Sequence, residues 1–458
     1  MKIAVIGAGW AGLAAAVRAR QAGHGVALFE AAGMPGGRAR SDDGDGEPID
    51  NGQHILLGGY TRTLALMRDV GVDVERALLR RPLSITYADG SGFALRPSAG
   101  RLTAAARALI SARGFGLRDK LSAVWMTVGW RMRGFRCAER LSVDELLRHA
   151  PTRRVREKLI EPLCVGALNT PIAEASGAVF LAVMRDSLFG ARDASDLLLP
   201  QRPLAQLLPL PAVAWLRANG ATVHLRSRVW ALRSAGDGWA LRTGARMPVD
   251  AVDAVDAVNW NRAGVPGRGD GATPGGEGTL FDGVILATPA AEAARLTASI
   301  APDWSTAAAA LEHEPIVTLV LRLPARRWPA PMLALDSDDA RRPAQFAFKL
   351  GPQEDASDRV TLVISAAGAW LARGADAVKA AAIAQVRAVF AIRSDEPVDC
   401  VSLRADRRAT FRCTPGLVRP AMAIAPGLLA AADYVDGPYP ATLEAAVRAG
   451  EASAAAFH

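Results

Sequence analysis

Residues 2–12 read KIAVIGAGWAG, and this stretch decides how the chain begins to fold. The apolar, β-branched run before the first glycine is typical of a buried parallel strand. Gly7 permits a tight turn, Gly9 lets the backbone approach a bound group, and Gly12 lets the next helix pack closely on the strand. The stretch therefore predicts a strand, a glycine-rich turn and the start of a helix.

The residues that follow complete a β-α-β unit. An alanine-rich run predicts a helix that starts at Trp10 and Ala11, and residues 25–30 (GVALFE) predict a second strand ending on Glu30. In this dinucleotide-binding fingerprint the helix N-terminus faces phosphates, and the Glu30 carboxylate accepts ribose hydroxyls. A carboxylate at this position disfavours NADP. The complete unit also disfavours a signal peptide as the explanation of the N-terminal apolar run.

A second glycine-rich segment follows at 35–38 (PGGR). Gly36 and Gly37 allow another close backbone approach, and the planar guanidinium of Arg38 can pair with a phosphate. The segment alone would be an ordinary turn. Directly behind the fingerprint, it predicts a second wall of the same nucleotide site.

Length and composition limit the function classes. A chain of 458 residues is expected to form two or three domains, and 50% hydrophobic with 22% charged residues is ordinary for a globular protein. The net charge of +8 suggests an anionic partner. However, 49 of the cations are arginines scattered along an alanine-rich chain, which indicates a GC-rich genome. We therefore predict no nucleic-acid partner.

The four cysteines, Cys137, Cys164, Cys400 and Cys413, lie far apart, with no paired histidine cluster. This spacing excludes a disulfide scaffold and the common zinc sites, so no metal is predicted. It favours a reducing compartment, and we predict a cytoplasmic protein. The sequence has no stretch of 18 uncharged apolar residues that could form a spanning helix.

These motifs, together with 50–60 (DNGQHILLGGY) and 439–450 (YPATLEAAVRAG), resemble the flavin-dependent amine oxidase and phytoene desaturase superfamily. The resemblance implies non-covalently bound FAD. It also implies an α/β fold, in which a discontinuous Rossmann-like FAD-binding domain carries an inserted α+β substrate-binding domain. The cofactor-binding residues that it implies are Gly7, Gly9, Trp10, Ala11, Gly12, Glu30, Gly36, Gly37, Arg38, Gly52, Gln53, His54, Val229, Asp433, Pro440, Ala441 and Thr442.

The resemblance also assigns roles to some of these residues. Gly52, Gln53 and His54 lie on the segment that passes the isoalloxazine ring. Val229, in the predicted strand 221–229, contacts adenine through its backbone, and Asp433 holds the ribityl chain or a phosphate. Ala432 stands before Asp433 where the superfamily has glycine, so that the backbone there must accommodate a Cβ. The last helix directs its N-terminus, near Ala441 and Thr442, at the flavin N1 side, where a helix dipole stabilises negative charge.

His54 is the candidate for a catalytic proton donor, because it is the one histidine within a flavin motif. The alternative is that His54 hydrogen-bonds the backbone or the flavin and transfers no proton. Phe180, Phe189, Phe346, Phe348 and Trp370 are candidates for a substrate tunnel, although ordinary core packing would explain each of them.

Within the superfamily the sequence resembles the hydroxysqualene dehydroxylases over nearly its whole length. The segments 7–16, 50–60, 64–71, 408–415 and 439–450 carry this resemblance. It implies the reductive removal of an allylic hydroxyl from hydroxysqualene, a C30 polyprenyl substrate, to give squalene for hopanoid synthesis. A carotenoid (phytoene-type) desaturase is the alternative. An amine oxidase and a non-catalytic flavin-binding partner of a lipid-synthesis complex remain open.

Organisation along the chain follows from the spacing of the flavin motifs. The FAD-binding domain is predicted from 1–60, 205–298 and 415–458, the substrate-binding domain from 61–204 and 299–414, and a low-complexity surface loop at 244–280. The chain has no second GxGxxG for its own NAD(P)H domain. The sequence therefore predicts an external electron donor.

Residues 113–136 allow two interpretations. A predicted helix over 119–133 carries an apolar stripe, basic residues flank it, and its other side is also apolar. One interpretation is a buried cap helix of the substrate domain. The other is an element that lies on the inner face of the cytoplasmic membrane. The stripe consists of Leu121, Val124, Trp125, Val128 and Met132.

Overall fold

The computed structural model describes residues 1–43, 48–95, 107–148, 151–188, 190, 193–244, 280–324, 328, 330–349 and 357–457. The predicted surface loop 244–280 falls almost wholly on 245–279, outside the described residues. The strands that flank this gap pair with each other in antiparallel fashion.

The strands are β1 (Lys2–Ile6), β2 (Gly25–Phe29), β3 (Ser41–Asp43), β4 (Pro48–Asp50), β5 (Leu56–Leu57), β6 (Leu78–Arg81), β7 (Ser84–Thr86), β8 (Gly92–Ala94), β9 (Leu197–Pro200), β10 (Thr222–His224), β11 (Arg228–Ala235), β12 (Gly238–Gly244), β13 (Leu280–Phe281), β14 (Gly283–Leu286), β15 (His313–Pro324), β16 (Met332–Ala334), β17 (Phe346–Phe348), β18 (Ser357–Ile364), β19 (Asp399–Phe411), β20 (Ala423–Ala425) and β21 (Leu428–Ala430). The helices are α1 (Trp10–Gln21), α2 (Thr61–Asp69), α3 (Val74–Ala77), α4 (Leu117–Met132), α5 (Val143–Leu147), α6 (Arg153–Val155), α7 (Glu161–Leu168), α8 (Gly177–Leu188), α9 (Leu204–Leu207), α10 (Pro209–Ala218), α11 (Ala290–Thr297), α12 (Pro302–Ala309), α13 (Gly368–Leu371), α14 (Ala375–Val389) and α15 (Leu443–Ala455). A π-helical turn, Arg156–Ile160, joins α6 to α7.

One sheet organises the nucleotide-binding part of the fold. Its strand order is β10-β2-β1-β14-β21-β20, and all its pairs are parallel except β21 with β20. β1 and β2 are buried beyond their first residue, as expected of central parallel strands with both faces covered. The strands come from three separate stretches of the chain, and the mixed α/β fold with a parallel sheet is confirmed. The domain boundaries stay a prediction.

The prediction of one strand over 221–229 is wrong. The chain forms β10 at the edge of the parallel sheet and β11 in a separate three-stranded antiparallel sheet. Between them Arg226 adopts a positive φ of 55°, which redirects the backbone and ends the first strand. Val229 therefore lies on the second of the two strands.

A second large sheet forms the floor of the inserted part. It is antiparallel, with the order β16-β17-β18-β15-β19, and its two longest strands, β15 and β19, pair along most of their length. The apolar side chains of β15 and β18 pack against α14. Because this sheet faces the parallel sheet across a cavity, residues from both sheets share one site.

Helix α4 is buried on one side only. Ala123, Met126 and Trp130 are buried among helices of the inserted part, whereas Trp125 and Met132 on the predicted stripe are exposed. The interpretation of α4 as a buried cap helix is therefore correct for the buried side and wrong for the stripe. The sequence could not decide this, because both sides of the helix are apolar.

Candidate active site

A cavity of about 1160 Å³ opens at the carboxyl ends of the parallel strands. The residues that follow β1, β2, β14 and β21 all line it, among them Gly7, Glu30, Thr288 and Asp433. Ligands of open α/β sheets bind at this edge. All the predicted cofactor residues lie on the cavity wall except Gly12.

Gly7 and Gly12 shape the turn between β1 and α1. Gly7 has a φ of +104°, and a Cβ on it would lie 2.4 Å from the carbonyl oxygen of Ala287. A Cβ on Gly12 would lie 1.8 Å from the Gly7 carbonyl oxygen. Gly12 therefore acts behind the wall, by letting α1 approach the turn.

The two glycine-rich segments lie backbone against backbone. The Gly36 N–H donates to the Ala8 carbonyl oxygen at 2.7 Å. Gly37 has a φ of +62°, and a Cβ on it would lie 3.2 Å from the Cα of Gly9. Larger residues at these positions would push the two segments apart. The glycines therefore let residues 7–12 and 35–38 form one continuous surface, which we call the cradle.

The start of α1 offers free donors to this cradle. Gly9 is the N-cap in extended conformation, no side chain caps the helix, and its first turn has no acidic residue. The N–H groups of the first turn are thus available to an anion, and the helix dipole favours one. The indole of Trp10 donates to the Ala39 carbonyl oxygen at 3.0 Å and is buried, which fixes the first residue of the helix.

The carboxylate of Glu30 is held from both sides. Its Oε2 accepts the Ala8 N–H and its Oε1 accepts the Ala32 N–H, each at 2.7 Å. A carboxylate has further lone pairs, so it can still accept hydroxyl donors from a ligand. Val229 is buried on the same stretch of wall.

Arg38 and Asp433, which are far apart in sequence, meet on the wall. One guanidinium nitrogen of Arg38 donates to Asp433 Oδ1 at 2.5 Å, and another donates to the Ala409 carbonyl oxygen at 2.6 Å. The Arg38 guanidinium therefore ties the second glycine-rich segment to β19 and to the turn after β21. The Asp433 side chain is almost fully buried, so that removing Arg38 would leave a buried carboxylate unpaired.

His54 lies on the wall between the two sheets. Its Nδ1 lies 3.3 Å from the Gly52 carbonyl oxygen. Gly52 itself lies next to Thr318 of β15, because a Cβ added to this glycine would be 3.7 Å from Thr318 Oγ1. Burial lowers the pKa of His54, only partly opposed by the Gly52 carbonyl and the Asp50 charge. The ring is therefore neutral at neutral pH, which favours a hydrogen-bonding role over an imidazolium acid.

The closing segment sets the direction of α15. Thr442 is its N-cap, with Oγ1 accepting the Ala445 N–H at 3.1 Å, and Pro440 and Ala441 line the cavity just before it. Behind the wall, the buried Glu444 accepts from the N–H and hydroxyl of Thr63 at 2.9 and 2.8 Å. The N-terminus of α15 is thus aimed into the cavity and fixed to α2.

The sequence reasoning missed four residues in or directly behind this site, which are Glu444, Thr63, Tyr60 and Thr288. Glu444 could have been found as an acidic residue in a first helical turn, whereas its partner Thr63 could not. Tyr60 lies on the wall with its pKa raised by burial, so that it keeps its proton. The Thr288 hydroxyl is buried on the wall and has no hydrogen-bond partner among the described residues.

Around β17 the cavity wall is mostly apolar, and this part is called the apolar half, whereas β19 of the same sheet contributes Arg404, Asp406 and Arg408 to the wall elsewhere. Phe346 and Phe348 of β17 line the apolar half, with ring centroids 6.4 Å apart. Of the other tunnel candidates, Phe180 and Trp370 are core residues, and Phe189 lies outside the described residues. Other apolar side chains on this wall are Ile55, Leu57, Leu83, Ile85, Leu163, Val183, Met184, Ile316, Met332 and Val363.

A family model described as flavin containing amine oxidoreductase matches residues 10–457. The chain belongs to this family. It is an FAD-dependent oxidoreductase, as the resemblance implied. The residues fit FAD, because uncapped N–H groups, the Glu30 carboxylate with acceptor capacity left for hydroxyls, and the unpartnered Thr288 hydroxyl line one cavity.

Individual relatives agree with this assignment. A hydroxysqualene dehydroxylase of Zymomonas mobilis is 26% identical over 98% of this chain and 97% of its own length. A probable zeta-carotene desaturase of Synechococcus elongatus is 29% identical over 58% of this chain and 59% of its own. Cyclohexylamine oxidase of Brevibacterium oxydans shares the fold, with a TM-score of 0.70 at 16% identity, over 100% of this chain and 98% of its own.

None of the four cysteines lines the cavity, and burial raises the pKa of the Cys413 thiol to about 11. A thiol with such a pKa is unreactive at neutral pH. A covalent link from cysteine to the flavin therefore has no candidate, consistent with the predicted non-covalent FAD.

Proposed function

We propose that this flavoenzyme removes the allylic hydroxyl of hydroxysqualene reductively and releases squalene, with electrons from a separate donor. The observation that carries the proposal is one continuous cavity in which a polar nucleotide cradle opens onto a long apolar wall. At about 1160 Å³ the cavity exceeds the ~300–1,000 Å³ of ordinary ligand pockets, so it leaves room for a second, hydrocarbon ligand beside a dinucleotide. The dehydroxylase of Zymomonas mobilis aligns over 98% of this chain, which supports the same reading.

The chemistry divides between cofactor and protein. Reduced FAD, when bound, supplies the hydride that replaces the hydroxyl at the allylic carbon. Phe346 and Phe348 contribute aromatic rings to the apolar half, where they can stabilise a developing allylic cation. The N-terminus of α15 stabilises negative charge at the cradle. The apolar wall excludes water from the carbon that becomes cationic.

The departing hydroxyl needs one proton to leave as water. Two hydrogen-bond donors of the segment 50–60 line the cavity, the neutral imidazole of His54 and the phenol of Tyr60. Because neither group releases a proton readily at neutral pH, we propose that they orient the departing hydroxyl by hydrogen bonds and that its proton comes from solvent.

The second candidate function is a carotenoid-type desaturase. It is favoured by the probable zeta-carotene desaturase of Synechococcus elongatus, which aligns over 58% of this chain. An apolar wall would accept a polyene as readily as an oxidised triterpene. The two functions differ in the flavin state that they require, because a desaturase starts from oxidised FAD.

The test uses the purified holoenzyme under anaerobic conditions. After photoreduction it is mixed with hydroxysqualene, and in separate cuvettes the oxidised holoenzyme is mixed with phytoene and with an amine. We expect flavin reoxidation with one squalene per FAD from the first mixture and no bleaching from the others. Bleaching by phytoene would instead identify a desaturase, and bleaching by the amine an amine oxidase.

The proposal also gives the enzyme a place of action. Hydroxysqualene and squalene partition into bilayers, so the enzyme must reach a membrane surface to exchange them. We propose that it works at the inner face of the cytoplasmic membrane.

A further inference from the structure

Helix α4 exposes an apolar stripe that no described part of the chain covers. Leu117, Trp125 and Met132 have 75%, 72% and 83% of their surfaces exposed. At about 100° per residue, the exposed apolar residues fall within one narrow sector, opposite the buried side chains of the same helix. The complete stripe is Leu117, Leu121, Val124, Trp125, Val128 and Met132, and Ile110 lies exposed beside it.

The stripe is held on a fixed helix. Trp130 packs edge-on against Phe180 of α8, with ring centroids 6.0 Å apart. At the other end Asp119 accepts the Gly116 N–H at 2.9 Å and the Thr152 hydroxyl at 2.6 Å. Because both ends are anchored, the apolar side chains point outward in a defined direction.

Positive charge borders the stripe on both sides. Arg118 lies at one edge, and Lys120 and Arg131 lie at the other. Asp119 is the one acidic residue between 107 and 136, and the Gly116 N–H and the Thr152 hydroxyl occupy its carboxylate. Exposed arginines that form no ion pair within the described ranges complete the border: Arg113, Arg118, Arg131, Arg133 and Arg136.

This pattern discriminates between occupants. A second copy of the chain, paired about a two-fold axis, would bring two like-charged borders together and be disfavoured. An anionic bilayer instead receives the apolar stripe at the acyl boundary and the arginines at its headgroups. Among the described residues, no helix combines the length and apolarity needed to cross a bilayer. We infer that α4 lies in the plane of an anionic membrane and that its stripe is the docking surface.

The surface lies one helix away from the apolar half of the cavity. α4 packs on α8 through Trp130 and Phe180, while Val183 and Met184 of α8 line the cavity. Docking through α4 would hold the substrate side of the enzyme close to the bilayer. This advantage rests on the proposed function, whereas the docking itself rests on the stripe and its charges.

The test is flotation of the holoenzyme with vesicles of phosphatidylcholine alone or with one third phosphatidylglycerol. We expect binding to the anionic vesicles that falls as salt rises, because the arginine border is exposed. The double variant Trp125→Ser/Met132→Ser should reduce the bound fraction about tenfold or more, since two large apolar groups no longer insert. Arg118→Glu/Arg131→Glu should abolish the preference for anionic vesicles.

The matched control is Leu210→Ser, which removes an exposed apolar side chain from α10 and should bind like wild type. Flavin absorbance and thermal unfolding verify that each variant is folded. Equal flotation of wild type and Trp125→Ser/Met132→Ser, or no flotation of wild type, would overturn the inference. Self-association that the same variant abolishes, without vesicle binding, would identify a second copy as the occupant. Flotation requires no turnover, so its outcome is independent of the reaction test.

Discussion

His54 illustrates how burial decides the role of a single side chain. The histidine sits in a flavin motif, but burial lowers its pKa below the ordinary value of about 6.5. We predict that His54→Gln, which keeps a hydrogen-bonding group and cannot ionise, leaves the pH profile of kcat unchanged between about pH 6 and 8. Stopped-flow flavin reoxidation measures this. Loss of an ionisation together with a fall in kcat of about 100-fold or more would instead make His54 the acid.

The same pKa shift predicts a stability effect. A histidine with a depressed pKa binds a proton more readily when unfolded, so it destabilises the fold as pH drops below about 6.5. We therefore expect the stability difference between pH 7 and pH 5 to shrink in His54→Gln, measured by urea unfolding of the apoprotein. His313→Gln is the control variant. Burial lowers the pKa of His313 too, so its replacement should change the pH dependence of stability in the same direction. His313 does not line the cavity, so the same replacement should leave kcat unchanged. An unchanged pH dependence of stability in His54→Gln would contradict the lowered pKa.

Asp433 carries a prediction about cofactor affinity. The Arg38 guanidinium donates to its buried carboxylate, and both side chains face the cradle. Asp433→Asn keeps the shape and removes the charge, so the guanidinium would be left without its counter-ion. We expect FAD affinity to fall about tenfold or more, because Arg38 then loses the charge-assisted hydrogen bond that holds it in the cradle. Titration of apoprotein with FAD measures it, with Asp395→Asn, an exposed ion pair, as the control. Equal affinities would show that the pair is not part of the cradle.

At the scale of elements, glycines control how closely helices approach. A Cβ on Gly450 of α15 would lie 2.1 Å from the Ala11 carbonyl oxygen of α1, so Gly450→Ala must push the two helices apart. We predict a loss of about 1–3 kcal/mol in the free energy of unfolding, and weaker FAD binding because Ala11 is on the wall.

The matched control is Gly129→Ala in α4, where an added Cβ meets no atom within 4 Å. Alanine is the better helix former, so this variant should gain about 0.5–1 kcal/mol. Urea unfolding compares the two. A change of stability in the same direction in both variants would contradict the prediction. It would show that Gly450 is not required by the close packing of α1 on α15.

The elements that the sequence predicted are those with local patterns. The β1-α1-β2 unit and Glu30 follow from glycine spacing and strand composition, and the structure places them as expected. The tunnel residues could not be separated, because Phe180 in the core and Phe346 on the wall are both aromatic residues in apolar elements. The contact of Glu444 with Thr63 joins positions 381 residues apart, and no local pattern predicts such a pairing. The turn at Arg226 was missed because arginine is an unusual residue at positive φ.

At the scale of the whole molecule, the cavity lies between the parallel and the antiparallel sheet. Gly7 and Glu30 after the parallel strands and Thr318 and Ala409 on the antiparallel sheet line the same space, and the Arg38 guanidinium already bridges it. A cofactor that contacts both walls must stabilise both. At a free FAD concentration of 100 times Kd the added stability is about 2.7 kcal/mol.

We therefore predict that FAD removal raises amide hydrogen exchange in both sheets, at 2–12 and also along β15 and β19. A ligand held by the parallel sheet alone would protect only the glycine-rich segments, because exchange reports local opening. The control is Asp433→Asn at saturating FAD, in which both regions should regain protection once the cofactor is bound. If FAD protects only residues 1–60 from exchange, the antiparallel sheet does not contact the cofactor. The stability of that sheet would then have to come from its own packing.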